Sequence, residues 1–303
     1  MKIVSLLPSA TEIVYALGLA DDLVGVTDEC DYPADAVTKP VVSRSALPQG
    51  RPLGSREIDE AVRARMGDHQ PLYQLETDLL RREQPDVILT QDLCRVCAVP
   101  SGQVQQALDQ LGLPDAKVVS LDPNSLEEVI AQLELVGKLL DREERGKELA
   151  EDPRRRVAAV RSTATRLPTV SVFCLEWSDP PFAAGHWVPE MVEACGGVPV
   201  LAEKALPSRE TAWHEILSAA PEVVVFMPCG YYLEEAEEEA GTFLLQAEFA
   251  DTPAARNGNV FAVDATSFFS RPGPRIVDGL EILAWAVHPE AYQEPATGTI
   301  TRL

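Results

Sequence analysis

A chain of 303 residues with 46% apolar and 24% charged side chains has the composition of a globular protein, long enough for two domains of ordinary size. Its net charge of −22 speaks against nucleic acid and against anionic membrane surfaces, since both demand clustered Lys and Arg. No stretch approaches the roughly eighteen apolar residues of a membrane span.

In chain order, the first half predicts a strand over Ile3–Leu7, a helix over Thr11–Leu17, a stop at Gly18 and a strand over Leu23–Val26. Ser9-x-x-Glu12 reads as a capping box opening that helix. The apolar N-terminal stretch is broken by Pro8 and has neither a basic region of any length nor a small-residue cleavage site. The expectation is a cytoplasmic protein, or an extracytoplasmic one where an export signal is missing from the sequence. Further on, LLRREQPDVILT predicts a helix, Pro85-Asp86, and a buried strand. Ser125 to about Arg166 reads as helical throughout, with Ser125-x-x-Glu128 and Asp141-x-x-Glu144 as helix starts and Pro153 as a kink or restart.

The second half repeats the first. A strand over Val170–Leu175 is followed by a loop, a helix over Val188–Ala194, a stop at Gly196 and a strand near Val198–Leu201. ILSAAPEVVVFM then matches LLRREQPDVILT phrase for phrase. Continuous apolar runs alternating with helices predict parallel sheets covered on both faces. The expected fold class is therefore α/β: two Rossmann-like lobes with mainly parallel sheets, joined by a long helical spine, with a ligand cleft between the lobes. The expected boundaries are 1–124 for the N-terminal lobe, 125–167 for the connector, 168–290 for the C-terminal lobe and 291–303 for a tail. The acidic run Glu234 to Glu239 reads as a solvated helix face.

Three cysteine-bearing segments follow predicted buried strands: LVGVTDECDYP with Cys30, DVILTQDLCRVC with Cys94 and Cys97, and EVVVFMPCGYY with Cys229. Open α/β sheets bind ligands outside the carboxyl ends of their strands, so thiols placed there are positioned to meet one. Cys94-x-x-Cys97 could chelate a soft metal, hold part of an iron–sulfur cluster, or cycle as a disulfide, with Cys30 as a third ligand and Cys229 or a bound molecule as a fourth. Packed, inert thiols are the plain alternative, and Cys174 and Cys195 read simply as small buried hydrophobes. Glu29 and Tyr32 flank Cys30 and offer a carboxylate and a ring, with Pro33 stiffening the loop. Ser9 lies at a helix N-terminus, a ready anion site, although capping alone explains it.

The segment WSDPPFAAGHW places Trp177, His186 and Trp187 on a predicted loop. Exposed indoles mark contact surfaces, flat rings suit a corrin or porphyrin, and His186 could ligate its metal; a loop folded over its own aromatics is the alternative. His186-x-x-x-Glu190 also has i, i+4 spacing, which is weak evidence for metal. Tyr231 and Tyr232 follow Cys229, and Arg271 in SRPGPR could meet a propionate, phosphate or amide, or only cap a helix. No GxSxG, Walker A, GxGxxG or HExxH sequence occurs.

IVSLLPSATEIVYALGLADDLVGVTDECDYP, TQDLCRVCAVP, LEWSDPPFAAGHWVPEMVEACGG and FFSRPGPRIVDGLEILAWAVHP resemble blocks of the helical-backbone class of periplasmic-type substrate-binding proteins, in its cobalamin-binding branch. The resemblance implies a non-catalytic solute-binding protein of the ABC-transporter type, holding cobalamin or another metal-bearing ligand between two lobes and working with a permease. Its implied ligand walls include Cys30, Cys94, Trp187, Tyr231 and Arg271. The competing expectation is a cytosolic metalloprotein or enzyme with zinc or an iron–sulfur cluster at Cys30, Cys94 and Cys97. A thiol–disulfide switch at Cys94/Cys97 is a third.

Overall fold

The computed structural model describes residues 1–48, 53–93, 98–244 and 247–303. The chain divides into two compact units, Met1–Pro123 with Ala131–Ala150, and Asn124–Ile130 with Glu151–Leu303.

The first unit is built on a six-stranded sheet in the order β4-β3-β2-β1-β5-β6. Its strands are β1 (Ile3–Ser5), β2 (Leu23–Thr27), β3 (Val41–Ser45), β4 (Tyr73–Leu75), β5 (Val87–Thr90) and β6 (Lys117–Ser120). All neighbours run parallel except β4, which lies antiparallel on β3. Helices α1 (Pro8–Ala16), α2 (Ser55–Gly67), α3 (Thr77–Glu83) and α4 (Ser101–Leu111) connect them. Every residue of β1 and β5 is buried, as expected of parallel strands covered on both faces. Val4, Val42, Leu80, Ile88, Val104 and Leu108 pack together as one core.

Helices α5 (Leu126–Leu139) and α6 (Glu143–Ala164) are each shared between the units along their length. Ser125 begins α5 as its spacing predicts: its hydroxyl accepts the Glu128 N–H at 3.2 Å, and Glu128 reaches back to the N–H of Asn124 at 2.6 Å. Pro153, expected to kink the helix or restart it, does not restart it: α6 is one helix from Glu143 to Ala164 with the proline inside. Asp141 does not open a helix from its own position. It lies in the left-handed region with φ +58°, and α6 starts two residues later.

The second unit has a seven-stranded sheet in the order β10-β8-β7-β11-β12-β13, with β9 also pairing β7. Its strands are β7 (Val170–Ser178), β8 (Pro181–Ala183), β9 (Gly197–Pro199), β10 (Arg209–Glu210), β11 (Val223–Phe226), β12 (Val260–Val263) and β13 (Ile300–Arg302). Strands β9, β7, β11 and β12 are parallel, whereas β8, β10 and β13 are added antiparallel. The segment expected as a tail thus contributes β13, an edge strand on β12. Helices α7 (Val188–Ala194), α8 (Trp213–Ala219), α9 (Leu233–Leu244), α10 (Ala247–Ala250), α11 (Pro253–Arg256), α12 (Ala265–Phe268) and α13 (Ile276–Val287) complete the unit.

The repeat seen in the sequence is a repeat of topology. In the first unit β1 lies between parallel β2 and β5, with β6 beyond; in the second β7 lies between parallel β9 and β11, with β12 beyond. Each first helix ends at a glycine in the left-handed region, Gly18 at φ +75° and Gly196 at φ +85°, where a side chain would be strained. Chain order reverses direction at β1/β5 and at β7/β11. Open α/β sheets form their binding crevice outside the carboxyl ends at such points.

Candidate functional site

In the first unit, the carboxyl ends of β1, β2 and β5 bring together most of the expected residues. Beyond β1 the helix α1 begins at Pro8, one residue before the expected cap. Proline suits the first helical position because it has no N–H to satisfy. Ser9 therefore lies inside the first turn and caps nothing; it is almost fully buried, and its hydroxyl has no hydrogen-bond partner. Beyond β2, the Cys30 N–H bonds to the Thr27 carbonyl, and its sulfur lies 3.1 Å from the Thr11 hydroxyl, tying the strand end to α1. Cys30 is 2% exposed, while its neighbour Glu29 is exposed and Tyr32 is 47% exposed. The thiol faces inward, and the carboxylate and ring are open to solvent.

Beyond β5, two carboxylates fix the chain. Asp122 accepts the N–H groups of Asp92 and Leu93 at 2.6 and 2.8 Å, and Asp92 accepts both the N–H and the hydroxyl of Ser101. Burial pushes the Asp92 carboxyl upward, but hydrogen bonding, led by the two bonds from Ser101, holds the group below its usual value. These anchors were not anticipated. Cys94 and Cys97 themselves lie outside the described residues.

In the second unit the expected loop around Trp177 is a hairpin. Strand β7 runs on to Ser178, Trp177 pairs with Phe182 of β8, and Ser178 pairs with Pro181. Half-buried Trp177 meets Tyr231 edge to face, with ring centres 5.8 Å apart and planes at 74°. Tyr231 follows β11, and its hydroxyl has no partner; burial raises its pKa, with Glu239 and Glu235 adding to the rise, so it stays protonated at neutral pH. The half-buried Cys229 is joined through its N–H to the Glu176 carbonyl at 2.9 Å. Glu176, another residue the sequence did not reveal, accepts the Ser208 hydroxyl at 2.6 Å and the Gly185 N–H at 3.4 Å. Burial nevertheless lifts its carboxyl above the usual value.

Trp187 corrects an expectation. It is 5% exposed, and its indole N–H donates to the Phe269 carbonyl at 3.0 Å, so it braces the unit's interior and is not a contact surface. Trp187→Phe is expected to cost about 1–2 kcal/mol, because the buried carbonyl loses its donor. An unchanged urea midpoint would refute that role. His186, at φ +53°, is half-buried, and burial lowers its pKa, keeping the imidazole neutral at pH 7. Its backbone N–H donates to the Leu206 carbonyl at 2.6 Å, and its ring Nδ1 has no partner. Glu190 does not join it in a metal pair; it accepts from Arg161 at 2.6 Å and from the Leu126 N–H at 2.9 Å. Arg271, half-buried, lies two residues past Phe269. The second unit thus brings Trp177, Tyr231 and Cys229 to one strand-end cluster, while Trp187 packs beneath the surface.

Among the described residues, no group of three or more His, Cys, Asp or Glu side chains could hold a metal ion. Of the three ligands expected for a zinc or iron–sulfur centre, Cys30 belongs to no such group, and Cys94 and Cys97 lie outside the described residues. Cys174 and Cys195 are buried, as expected of packed thiols; burial pushes Cys174 up to about 12, and Cys195 donates to the Leu280 carbonyl. No helix among the described residues is long and apolar enough to cross a membrane.

The chain is 26% identical over 283 residues to the vitamin B12-binding protein of Vibrio cholerae, covering 92% of this chain and 86% of that protein. It is 25% identical over 227 residues to the vitamin B12-binding protein of Yersinia pestis, covering 74% and 68%. Among solved structures, the V. cholerae periplasmic vitamin B12-binding protein superposes with a TM-score of 0.69 at 24% identity, over 94% of this chain and 96% of that one. A periplasmic heme-binding protein of Pseudomonas aeruginosa gives a TM-score of 0.72 at 20% identity, over 100% and 99%. These likenesses establish the fold: α/β, with two mainly parallel sheets. A model of the periplasmic binding protein family matches residues 3–266, a span running from β1 past β12 and including both places where strand order reverses, and the chain belongs to that family.

Proposed function

We propose that this chain is the substrate-binding component of an ABC transporter and that its ligand is cobalamin or another corrinoid. The observation that carries the reading is the likeness to vitamin B12-binding proteins over nine-tenths of the chain. The site chemistry agrees with it. A large ring ligand needs flat apolar contacts and a few polar groups that fix its orientation. Each unit offers both kinds at the carboxyl ends of its strands: Tyr32 and Glu29 in the first, Trp177, Tyr231 and Arg271 in the second. Ser9, Cys30 and Trp187 take supporting positions behind these surfaces, and His186 and Cys229 flank them. The cytoplasmic location expected from the N-terminal residues finds no support in a family of periplasmic proteins, and this reading places the working protein outside the cytoplasm, delivering ligand to a permease. No observation favours the Cys-ligated metal or enzyme reading.

Calorimetric titration with cyanocobalamin is expected to show saturable binding with a Kd of about 1 μM or tighter. Trp177→Ala is expected to weaken it roughly tenfold, as for loss of an aromatic anchor. Absence of binding heat and of any change in the corrin spectrum at tens of micromolar would refute the proposal.

A further inference from the structure

We propose that the strand ends of the second unit select a ligand whose rim carries amides and discriminate against one whose rim carries carboxylates. The inference deepens the corrinoid reading and rests on it.

Three adjacent parallel strands of this unit each end beside an anchored carboxylate. At the end of β7, the Ser178 hydroxyl holds Glu239 at 2.5 Å. After β11, Glu235 accepts the Tyr232 N–H at 2.8 Å. Directly after β12, Asp264 accepts the Ser267 N–H at 2.8 Å and caps α12. These bonds fix where the negative charges sit. Burial, then Glu234 and Asp264, push the Glu235 carboxyl above its usual value, so the charges feel one another.

Among them are two hydroxyls without partners. One is that of Tyr231, whose ring packs on Trp177. The other is that of Thr266, a residue 5% exposed whose N–H bonds to the Tyr231 carbonyl at 3.1 Å. Buried polar groups are normally satisfied, so two neighbouring orphans point to a partner the chain itself does not supply. The chemistry of that partner follows from the surroundings. Each hydroxyl has a proton to donate and each carboxylate can only accept. A primary amide answers both, its carbonyl taking the hydroxyl protons and its NH2 donating to the carboxylates. A ligand carboxylate could accept from the hydroxyls but would meet three like charges. The basic groups close by in sequence do not reverse the balance: Arg271 and Arg275, the latter stacked over the Phe268 ring with its guanidinium carbon 5.7 Å from the centroid, are two charges against three.

The test compares one ring with two rims. Dicyanocobinamide carries side-chain amides, and dicyanocobyrinic acid is the same corrin with carboxylates in their place. Absorbance titrations of the whole protein are expected to give roughly tenfold or tighter binding of the amide form at low ionic strength, with the gap narrowing at about 0.5 M salt as the charges are screened. Glu235→Gln with Glu239→Gln, which keeps the hydrogen-bond acceptors, is expected to cut the gap to roughly threefold or less. Equal affinities for the two corrins would overturn the inference and leave the corrinoid reading standing, as would a gap indifferent to both salt and charge removal. The salt comparison needs no variant to fold. Binding of neither corrin would bring down both readings together.

Discussion

Replacing Phe226 with alanine is expected to destabilise the second unit by about 3–5 kcal/mol, the cost of removing a fully buried aromatic ring. Phe226 is 0% exposed and sits on β11, the strand held on both sides by parallel partners, opposite Leu175 of β7 and Ala262 of β12. Its ring packs against Phe243 of α9 at 6.0 Å and Phe249 of α10 at 6.2 Å, and Phe243 in turn stacks on Trp213 of α8 at 4.8 Å. Two helices therefore share one ring, a third reaches it through Phe243, and no single one can close the void it leaves. Phe226→Leu keeps most of the volume and should cost less than half as much, roughly 1–2 kcal/mol. All four tryptophans, Trp177, Trp187, Trp213 and Trp285, belong to this unit, so indole fluorescence during urea unfolding reports on it alone. A midpoint for Phe226→Ala within experimental error of the parent would contradict the packing described.

How much was legible depends on whether a pattern was local. The runs Val87–Thr90 and Val223–Phe226 announced buried parallel strands because apolar continuity is their physical requirement, and both are strands over those residues. The helix Val188–Ala194 was readable to its last residue because a left-handed glycine ends it. Ser125 was readable as a cap for the same reason: the bond that matters spans three residues. Ser9-x-x-Glu12 satisfied the identical pattern and failed, because Pro8 was a better first residue and moved the start of α1 forward. Prolines also hid β8. Pro180-Pro181 reads as a loop, yet Pro181 is the first residue of an added antiparallel strand, a position that tolerates proline.

Contacts between distant segments left no such trace. Trp187 looked like a contact surface because WSDPPFAAGHW read as a loop rich in aromatics; its partner, the Phe269 carbonyl, is 82 residues away. Glu176 gave no signal and Glu239 read as part of a solvated helix face, since the Ser208 and Ser178 hydroxyls that place them lie far off in sequence. Asp264 was missed although its signal is local: an acid between a buried strand and a helix start, three residues before the N–H it accepts. The cysteines were noticed for sound reasons, but position at a strand end does not decide chemistry. Cys30 sits at one and is buried against the Thr11 hydroxyl.

Gly279→Ala should lower the stability of the second unit by about 2–3 kcal/mol, against the usual sign for such a change. In the interior of an ordinary helix, alanine in place of glycine is worth roughly 0.5–1 kcal/mol in favour of folding. Gly279 lies in α13, where a Cβ atom would come 2.1 Å from the Phe268 carbonyl oxygen and 3.0 Å from its carbon. Those are backbone atoms at the end of α12 and cannot swing aside. The chain must shift by more than an ångström at Phe268, and the next residue, Phe269, is the acceptor for the Trp187 indole. The damage should therefore travel: displacing that carbonyl weakens the indole bond across the unit. Gly279→Ala combined with Trp187→Phe is then expected to cost less than the sum of the two single changes, because both remove the same interaction. Simple additivity of the two losses would show that Phe268 and Phe269 move independently, and a Gly279→Ala protein as stable as the parent would show that α12 and α13 do not touch where the structure places them.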